Sequence, residues 1–570
     1  MSENDWRLKL HPEIPKGSKP VLVVVLDGWG EAPDGPYNAI SQANTPCMDS
    51  LKHGAPGRWM LLKAHGTAVG LPSDADMGNS EVGHNAMGSG QVIDQGANLV
   101  DHALKDGSIF SGEGWKYTEP AFAEHTLHFI GLVSDGGVHS RYDQLIGCIR
   151  GACKRGAKRI RVHVLTDGRD VEDGTSQLYV TQLHRDLQAL SAEGCDARIA
   201  SGGGRMRVTM DRYESDWNIV KRGWEAHVLG EAPHKFTDPV DAIKQLRAPP
   251  GPGKMPISDQ WLDPFVIVDG TGQPAGTIQD DDAVVIFNFR ADRVVEISKA
   301  FEYKDFTAFD RKRWPKTRFV GMMQYDGELK LPAHYLVPPP FISRTTGEYL
   351  AHNGVRTYAC SESQKIGHVT FFWNGNRSGY FNAELEKYEE IPSDTGIAFN
   401  QKPAMKAREI CEAGKAALRS LKYDQVRLNF PNPDMVGHTG DLQATIEACT
   451  VVDQCVKELL DVVDEVGGRF LVTADHGNAE EMVQLNKKTG KVVMDSEGKP
   501  IPLTSHTLNP VPVAIGGPGL PASVHFRQDL TEPGLSSVGP TIINLLDFEA
   551  PPHMAPSLFP AHGMELPTGV

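Results

Sequence analysis

Short β-branched runs that stop at a polar or charged cluster recur along this chain, with stretches of three-to-four apolar spacing between them. Val21 to Leu26 lead into Asp27-Gly28-Trp29-Gly30, Leu127 to Val133 into Ser134-Asp135-Gly136-Gly137, and Ile160 to Leu165 into Asp167-Gly168-Arg169-Asp170. Ala283 to Phe287 likewise lead into Asn288-Phe289-Arg290, Val426 to Phe430 into Pro431-Asn432-Pro433-Asp434, and Phe470 to Thr473 into Asp475-His476-Gly477. Helical periodicity appears in Tyr179, Leu183, Leu187 and Leu190, and again in Leu442, Ile446, Cys449, Val452, Val456 and Leu459. Strands alternating with helices predict an α/β fold with largely parallel sheets, whose ligands bind beyond the carboxyl ends of the strands. The charged clusters fall there. Asp and Gly also end strands simply as turn formers, but the bias of these clusters towards Asp, His and Arg exceeds what turns need.

A chain of 570 residues exceeds what one core organises, so two or more domains are expected. The stiff Val337-Pro338-Pro339-Pro340 and the glycine-rich Gly88-Ser89-Gly90 read as two linkers. Two crossings imply that residues 92–336 form a domain inserted into one made of 1–91 and 337–570. Eight cysteines without a CxxC pair read as reduced core thiols. The opening residues carry no signal-peptide apolar region and the longest early apolar run is too short to span a bilayer, so a cytoplasmic protein is expected. A net charge of -16 disfavours nucleic acid and anionic membranes as partners, so an anionic substrate must meet locally concentrated cations.

Divalent metals held by carboxylates and imidazoles would serve phosphoryl transfer, and the chain offers Asp27, Asp434 with His438 four residues on, Asp475, His476 and His506. If helical, Asp434 and His438 share a face. Oxygen and nitrogen donors without thiolates suit Mn²⁺, Mg²⁺, Co²⁺ or Zn²⁺. Ser80, within Asp76-Met77-Gly78-Asn79-Ser80-Glu81-Val82-Gly83-His84, is either a helix N-cap or, beside bound cations, a nucleophile.

Taken in order, Asp27-Gly28-Trp29-Gly30, Met77 to His84, Asp135-Gly136-Gly137-Val138-His139-Ser140, Asp167-Gly168-Arg169-Asp170, Asn288 to Arg293, His368-Val369-Thr370-Phe371-Phe372 and Ala474-Asp475-His476-Gly477-Asn478 resemble the successive signatures of the cofactor-independent phosphoglycerate mutases. The resemblance implies two domains: one like alkaline phosphatase, with a mostly parallel sheet built from both chain ends, and an inserted α/β transferase domain. It implies two divalent ions, Mn²⁺ foremost with Co²⁺ or Mg²⁺ as alternatives. Asp434, His438 and His506 would hold one; Asp27, Ser80, Asp475 and His476 the other. Ser80 becomes the nucleophile and Lys365 a stabiliser of the transferring phosphoryl group. Asp170, with His139 nearby, becomes the acid and base at the glycerate hydroxyls. Arg290 and Arg293 would lie near the phosphate, and Arg169, Arg205 and Arg212 would hold the glycerate or its carboxylate, as guanidinium forks suit both anions. The implied activity converts 3-phosphoglycerate and 2-phosphoglycerate into one another through a phosphoserine, in a monomer, and the Arg-His-Gly motif of cofactor-dependent mutases is absent. A phosphopentomutase or a related hydrolase shares the metal motifs, and a non-catalytic metal-stabilised binding protein is the rival from another class. Two departures stand out. Arg207 and Arg212 compete for one role in a lengthened Arg205 to Arg212 stretch, and Lys487 to Pro502 reads as an added surface hairpin.

Overall fold

The computed structural model describes residues 6–12, 14, 20–71, 73–211, 216–252, 254, 256–326, 329–340, 342–394, 397–486, 489–494 and 497–560. The strands in chain order are β1 (Val21–Leu26), β2 (Trp59–Leu62), β3 (Leu127–Leu132), β4 (Arg159–Thr166), β5 (Asp196–Gly204), β6 (His234–Phe236) and β7 (Phe265–Ile267). They continue with β8 (Ala283–Ile286), β9 (Arg318–Gly321), β10 (Thr357–Glu362), β11 (Glu386–Ile391), β12 (Gln425–Phe430), β13 (Arg469–Thr473) and β14 (Val511–Gly516). The helices used below are α1 (Ser80–Ser89), α2 (Ser176–Ala192), α3 (Asn432–Gly437) and α4 (Leu442–Val466).

Two compact units result, Met1–Gln95 with Pro340–Val570, and Gly96–Pro339. Their borders fall beyond the expected 91/92 and 336/337 for identifiable reasons. Gly88 and Ser89 are no linker: they finish α1, and Gly90 closes it with φ 65°, where a side chain would meet Met554 Sδ at 2.9 Å. At the other border Val337 is buried, and its N–H donates to the Met322 carbonyl at 2.9 Å, which keeps it in the second unit.

The first unit holds a seven-stranded sheet in the order β11-β10-β12-β1-β13-β14-β2. Its strands from β11 to β13 are parallel, and β14 alone is reversed, antiparallel to β13 on one side and to β2 on the other. Every residue of β1 is buried, which explains its unbroken Val-Leu-Val-Val-Val-Leu: a central parallel strand is covered on both faces. Helix α4 packs with Cys449, Val452, Cys455, Val456, Leu459 and Val463 buried; the Asp441 side chain caps its start and Gly467, at φ 70°, ends it. The Lys487 to Pro502 segment carries antiparallel bridges Leu485↔Val492 and Met494↔Pro500, with Met494 exposed. Lys487 itself lies outside the described residues.

The second unit has its own seven-stranded sheet, β6-β7-β5-β4-β3-β8-β9, parallel except between β5 and β7. Helix α2 buries Val180, Leu183, Leu187 and Leu190, while Tyr179, half-buried against the same core, donates its hydroxyl hydrogen bond to Asp135. Three histidines, His128 on β3, His163 on β4 and His227, are fully enclosed in this unit. Burial holds each imidazole below its ordinary value, with His227 down at about 3. Rings that stay neutral when folded but take protons when unfolded favour the unfolded state in acid. The stability they support is complete above about pH 6.5 and shrinks below it, each ring contributing up to about 1.4 kcal/mol per pH unit. Hydrogen exchange of the β3, β4 and β5 amides should therefore speed up from pH 7 to pH 5 after correction for intrinsic rates, and less so in His227→Gln. Protection independent of pH in that range would contradict this.

Candidate active site

The first sheet delivers its chemistry at one edge. Asp27 follows β1, α3 with Asp434 follows β12, and Asp475 and His476 follow β13; these three strands are adjacent and parallel. Lys365 lies just beyond β10 on the far side of β12. His506 precedes β14, and because β14 runs antiparallel to β13 its beginning lies at the same edge. Asp434 and His438 are one helical turn apart, as anticipated, with His438 at the C-cap of α3. Ser80 is not the N-cap of α1. Asn79 takes that part, its side chain accepting from the Val82 N–H at 3.0 Å, so the Ser80 hydroxyl is released for other contacts.

Those contacts gather the predicted residues. Ser80 Oγ donates to Asp27 Oδ1 at 3.1 Å, lies 3.0 Å from His476 Nε2, and accepts a hydrogen bond from Lys365 Nζ. The Lys365 ammonium also reaches Asp27 Oδ1 and Asp434 Oδ2, each at 2.9 Å. Asp434 Oδ1 lies 3.1 Å from His438 Nε2 and 3.2 Å from His506 Nε2. Three groups of potential ligands overlap here: Asp434, His438 and His506; Asp27, Asp434 and His476; and Asp27, His84 and Asp475.

The donor set fits metal ions. His438 Nδ1 meets the Thr504 carbonyl at 2.7 Å and His506 Nδ1 the Gly78 carbonyl at 2.8 Å. Carbonyls only accept, so both hydrogens sit on Nδ1 and both Nε2 lone pairs face one carboxylate, 3.1 Å apart. Asp475 Oδ2 is buried without a hydrogen-bond partner. Converging lone pairs and a buried carboxylate oxygen whose nearest imidazole nitrogen, His84 Nδ1, stands 3.4 Å away call for cations. The electrostatics agree. Burial opposes charge on His476, yet Asp475, Asp434 and Asp27 lift it to about 10. Burial, with His476 beside it, pushes His506 down to about 4, which leaves its lone pair available. Burial would raise Asp434, but His438, Lys365, His476 and His506 hold it well below the usual carboxylate range.

The second unit repeats the arrangement with opposite sign. His139 follows β3, Asp167, Arg169 and Asp170 follow β4, Arg205 follows β5, and Arg290 and Arg293 follow β8; in the sheet these are neighbours in the order β5-β4-β3-β8. Arg205 is buried, and its Nη1 donates to Asp167 Oδ1 at 2.8 Å and to Asp170 Oδ2. His139 Nε2 lies 3.9 Å from Asp170 Oδ2, and its Nδ1 lies 3.5 Å from Asp292. Arg290 Nε is 3.3 Å from Asp292, and buried Arg293 donates from Nη1 to the Met210 carbonyl at 2.8 Å. Burial, and the charges of Arg205, Arg290 and Arg293, keep His139 well below its ordinary value against the pull of Asp292, so it is neutral. Arg169 is exposed on the same loop. Arg207 pairs with Asp263 at 2.6 Å, and Arg212, its rival, lies outside the described residues.

Residues 19–550 match the model of the metalloenzyme superfamily. The chain is 62% identical over 553 residues to 2,3-bisphosphoglycerate-independent phosphoglycerate mutase 1 of Arabidopsis thaliana, covering 97% of this chain and 98% of that one. It is 55% identical to the same mutase of Trypanosoma brucei brucei, at 97% and 98% coverage. The chain belongs to the 2,3-bisphosphoglycerate-independent phosphoglycerate mutases. A crystal structure of Leishmania mexicana phosphoglycerate mutase at low cobalt concentration matches with a TM-score of 0.73 and 53% identity, covering 97% of this chain and all (100%) of that one.

Around this site stand residues to which motif reading gave no role. Asn429 Nδ2 donates to Asp27 Oδ2 at 2.8 Å and lies 3.2 Å from His84 Nε2; His84 Nδ1 meets the Ser80 carbonyl at 2.8 Å. Asn478 Nδ2 donates to Asp434 Oδ1 at 2.9 Å. Glu480 joins the loops: one oxygen accepts from the Gly30 N–H at 3.0 Å and the Asn478 N–H at 2.8 Å, and the other accepts from Thr507 Oγ1 and, at 3.1 Å, from Asn509 Nδ2. Gly30 is glycine because a side chain there would stand 2.3 Å from the Glu480 carboxyl carbon. The only hint in the sequence is that Glu480 follows Asp475-His476-Gly477-Asn478 so closely. Glu480→Gln would set an amide against at least one backbone or side-chain donor and loosen three loops at once. Titration of metal-free protein with Mn²⁺ should show affinity about 10- to 100-fold weaker than the parent's; an unchanged affinity would contradict the role of Glu480.

Proposed function

We infer that the chain interconverts 3-phosphoglycerate and 2-phosphoglycerate, an isomerase reaction without a bisphosphoglycerate cofactor, and that Ser80 carries the phosphoryl group between the two positions. The observation that carries this reading is Ser80 Oγ itself, buried among Asp27, His476 and Lys365.

Asp434, His438 and His506 would hold one divalent ion, and Asp27, Ser80, Asp475 and His476 a second; these donors suit Mn²⁺, Co²⁺ and Mg²⁺ alike, and the family resemblance favours Mn²⁺. Such ions favour the ionised serine hydroxyl and neutralise charge on the phosphoryl oxygens. The remaining work belongs to side chains. Ser80, its hydroxyl proton already released to solvent, attacks phosphorus through Oγ; the bond to the glycerate oxygen breaks, and that oxygen takes a proton from Asp170, which begins the cycle protonated. The neighbouring glycerate hydroxyl then returns its proton to Asp170 as its oxygen takes the phosphoryl group back from Ser80. Lys365, which donates to Ser80 Oγ, steadies charge on the transferring group, and neutral His139 stands beside Asp170. Arg290 and Arg293 meet the phosphate of the substrate, and Arg169, Arg205 and Arg212 its glycerate or carboxylate. The inserted unit is thus the substrate-binding transferase domain and the other the metal-binding one. Among the described residues no helix is long and apolar enough to cross a membrane. With a net charge of -16, a cytoplasmic monomer acting on a small anion, without nucleic acid or membrane partners, fits best.

Ser80→Ala should lower turnover at least about a thousandfold. Mass spectrometry of parent protein quenched during turnover should find phosphate on Ser80. In a coupled assay, chelation should abolish activity, Mn²⁺ should restore it, and added 2,3-bisphosphoglycerate should change nothing. Parent-level turnover in Ser80→Ala would sink the serine assignment, and activity surviving exhaustive chelation would sink the metal assignment.

A further inference from the structure

The reaction scheme makes no use of the three buried histidines of the inserted unit, yet they form a continuous line. His128 Nε2 lies 3.1 Å from Asp282 Oδ2, His128 Nδ1 2.9 Å from His163 Nε2, and His163 Nδ1 2.6 Å from Ser201 Oγ. Ser201 Oγ lies 2.7 Å from His227 Nδ1, and His227 Nε2 2.9 Å from Thr209 Oγ1. All six residues are buried.

Their hydrogens can be placed. Asp282 accepts from the Thr126 and Gln279 N–H groups, its pull on His128 being that of a carboxylate, which only accepts. His128 must then donate from Nε2, leaving Nδ1 to accept from His163 Nε2. His163 Nδ1 accepts from the Ser201 hydroxyl, Ser201 Oγ accepts from His227 Nδ1, and His227 Nε2 accepts from the Thr209 hydroxyl. Every bond points the same way, from Thr209 towards Asp282, with each ring neutral and each position satisfied. Burial favours those neutral rings.

The free end of this chain is a strained turn. Thr209, a β-branched residue, has φ 67°, and the Met210 N–H returns to the Val208 carbonyl at 2.8 Å, closing a tight three-residue turn about it. The side chain nests against Gly223, where an added Cβ would stand 2.1 Å from Thr209 Oγ1. The next carbonyl, that of Met210, accepts from Arg293 Nη1 at 2.8 Å. Strain of this kind persists only where its surroundings impose it, and it gathers at functional sites.

We propose that the chain from Asp282 through His128, His163, Ser201 and His227 to Thr209 is a positioning network for Arg293: it holds the strained turn that presents the Met210 carbonyl to that guanidinium. The proposal rests on Arg293 as a substrate-binding residue. Thr209 and Ser201 are positioning residues in this scheme, since neither touches substrate.

Thr209→Val keeps the branched shape without the hydroxyl, and Thr209→Ser keeps the hydroxyl. Thr209→Val should raise KM for 3-phosphoglycerate about tenfold with kcat within about twofold of the parent, and Thr209→Ser should stay within about twofold in both. Ser201→Ala, which cuts the chain without reaching the turn, should raise KM in the same direction, and it carries the test if Thr209→Val does not fold. Selective ¹⁵N-histidine labelling of the whole protein should find His128 and His163 protonated on Nε2 and His227 on Nδ1; any other pattern overturns the chain. Parent KM in folded Thr209→Val or Ser201→Ala beside a raised KM in Arg293→Lys overturns the positioning role alone. Parent KM in Arg293→Lys overturns the substrate role of Arg293 and the proposal with it.

Discussion

Three carboxylates almost without solvent contact, Asp27, Asp434 and Asp475, converge at the carboxyl edge of one sheet, and the first unit is organised around neutralising them. Removing an ionised carboxylate from water costs several kcal/mol even after relaxation, so such a cluster persists only with matching positive charge and donors. The surrounding residues meet that demand in layers. Lys365 bonds two of the three directly, His476, lifted to about 10 by the same carboxylates, adds a second positive charge, and Asn429, Asn478 and the Gly28 N–H fill further lone pairs. Glu480, a fourth buried acid, avoids the same difficulty by accepting only from uncharged donors.

Parallel topology is what makes the convergence affordable in conformational terms. Adjacent parallel strands end side by side, so residues hundreds of positions apart arrive at one edge without any long ordered loop between them. The inserted unit uses the same device for the opposite purpose: strands β5, β4, β3 and β8 deliver Arg205, Asp170, His139, Arg290 and Arg293 to a single edge. One sheet therefore gathers carboxylates at its edge and the other gathers guanidinium groups. In a chain of net charge -16 that local concentration, rather than overall charge, governs what binds.

Much of this was legible before the fold. The β-branched runs at Val21, Leu127, Ile160, Ala283, Val426 and Phe470 all became strands, since continuous apolar runs are what doubly covered strands require. Asp434 and His438 share a helical turn as their spacing implied. The apparent Gly88-Ser89-Gly90 linker failed because glycine serves helix ends as readily as flexible joints, and only the packing of α1 distinguishes them. Ser80 looked equally suited to capping until Asn79 was seen in that position. Glu480, Asn429 and the Asp282 to Thr209 chain carried no motif because their partners are distant in sequence.

By itself the sequence determined which residues could do chemistry and where strands would end, because burial, periodicity and donor type are local properties of the residue string. Tertiary structure decided the rest: that β12, β1 and β13 lie side by side, that Lys365 and Ser80 share a hydrogen bond with two aspartates in reach, and that Thr209 is held in a conformation it would otherwise avoid. Those outcomes depend on strand order and on the balance of buried charge, which exist only once distant segments have packed together.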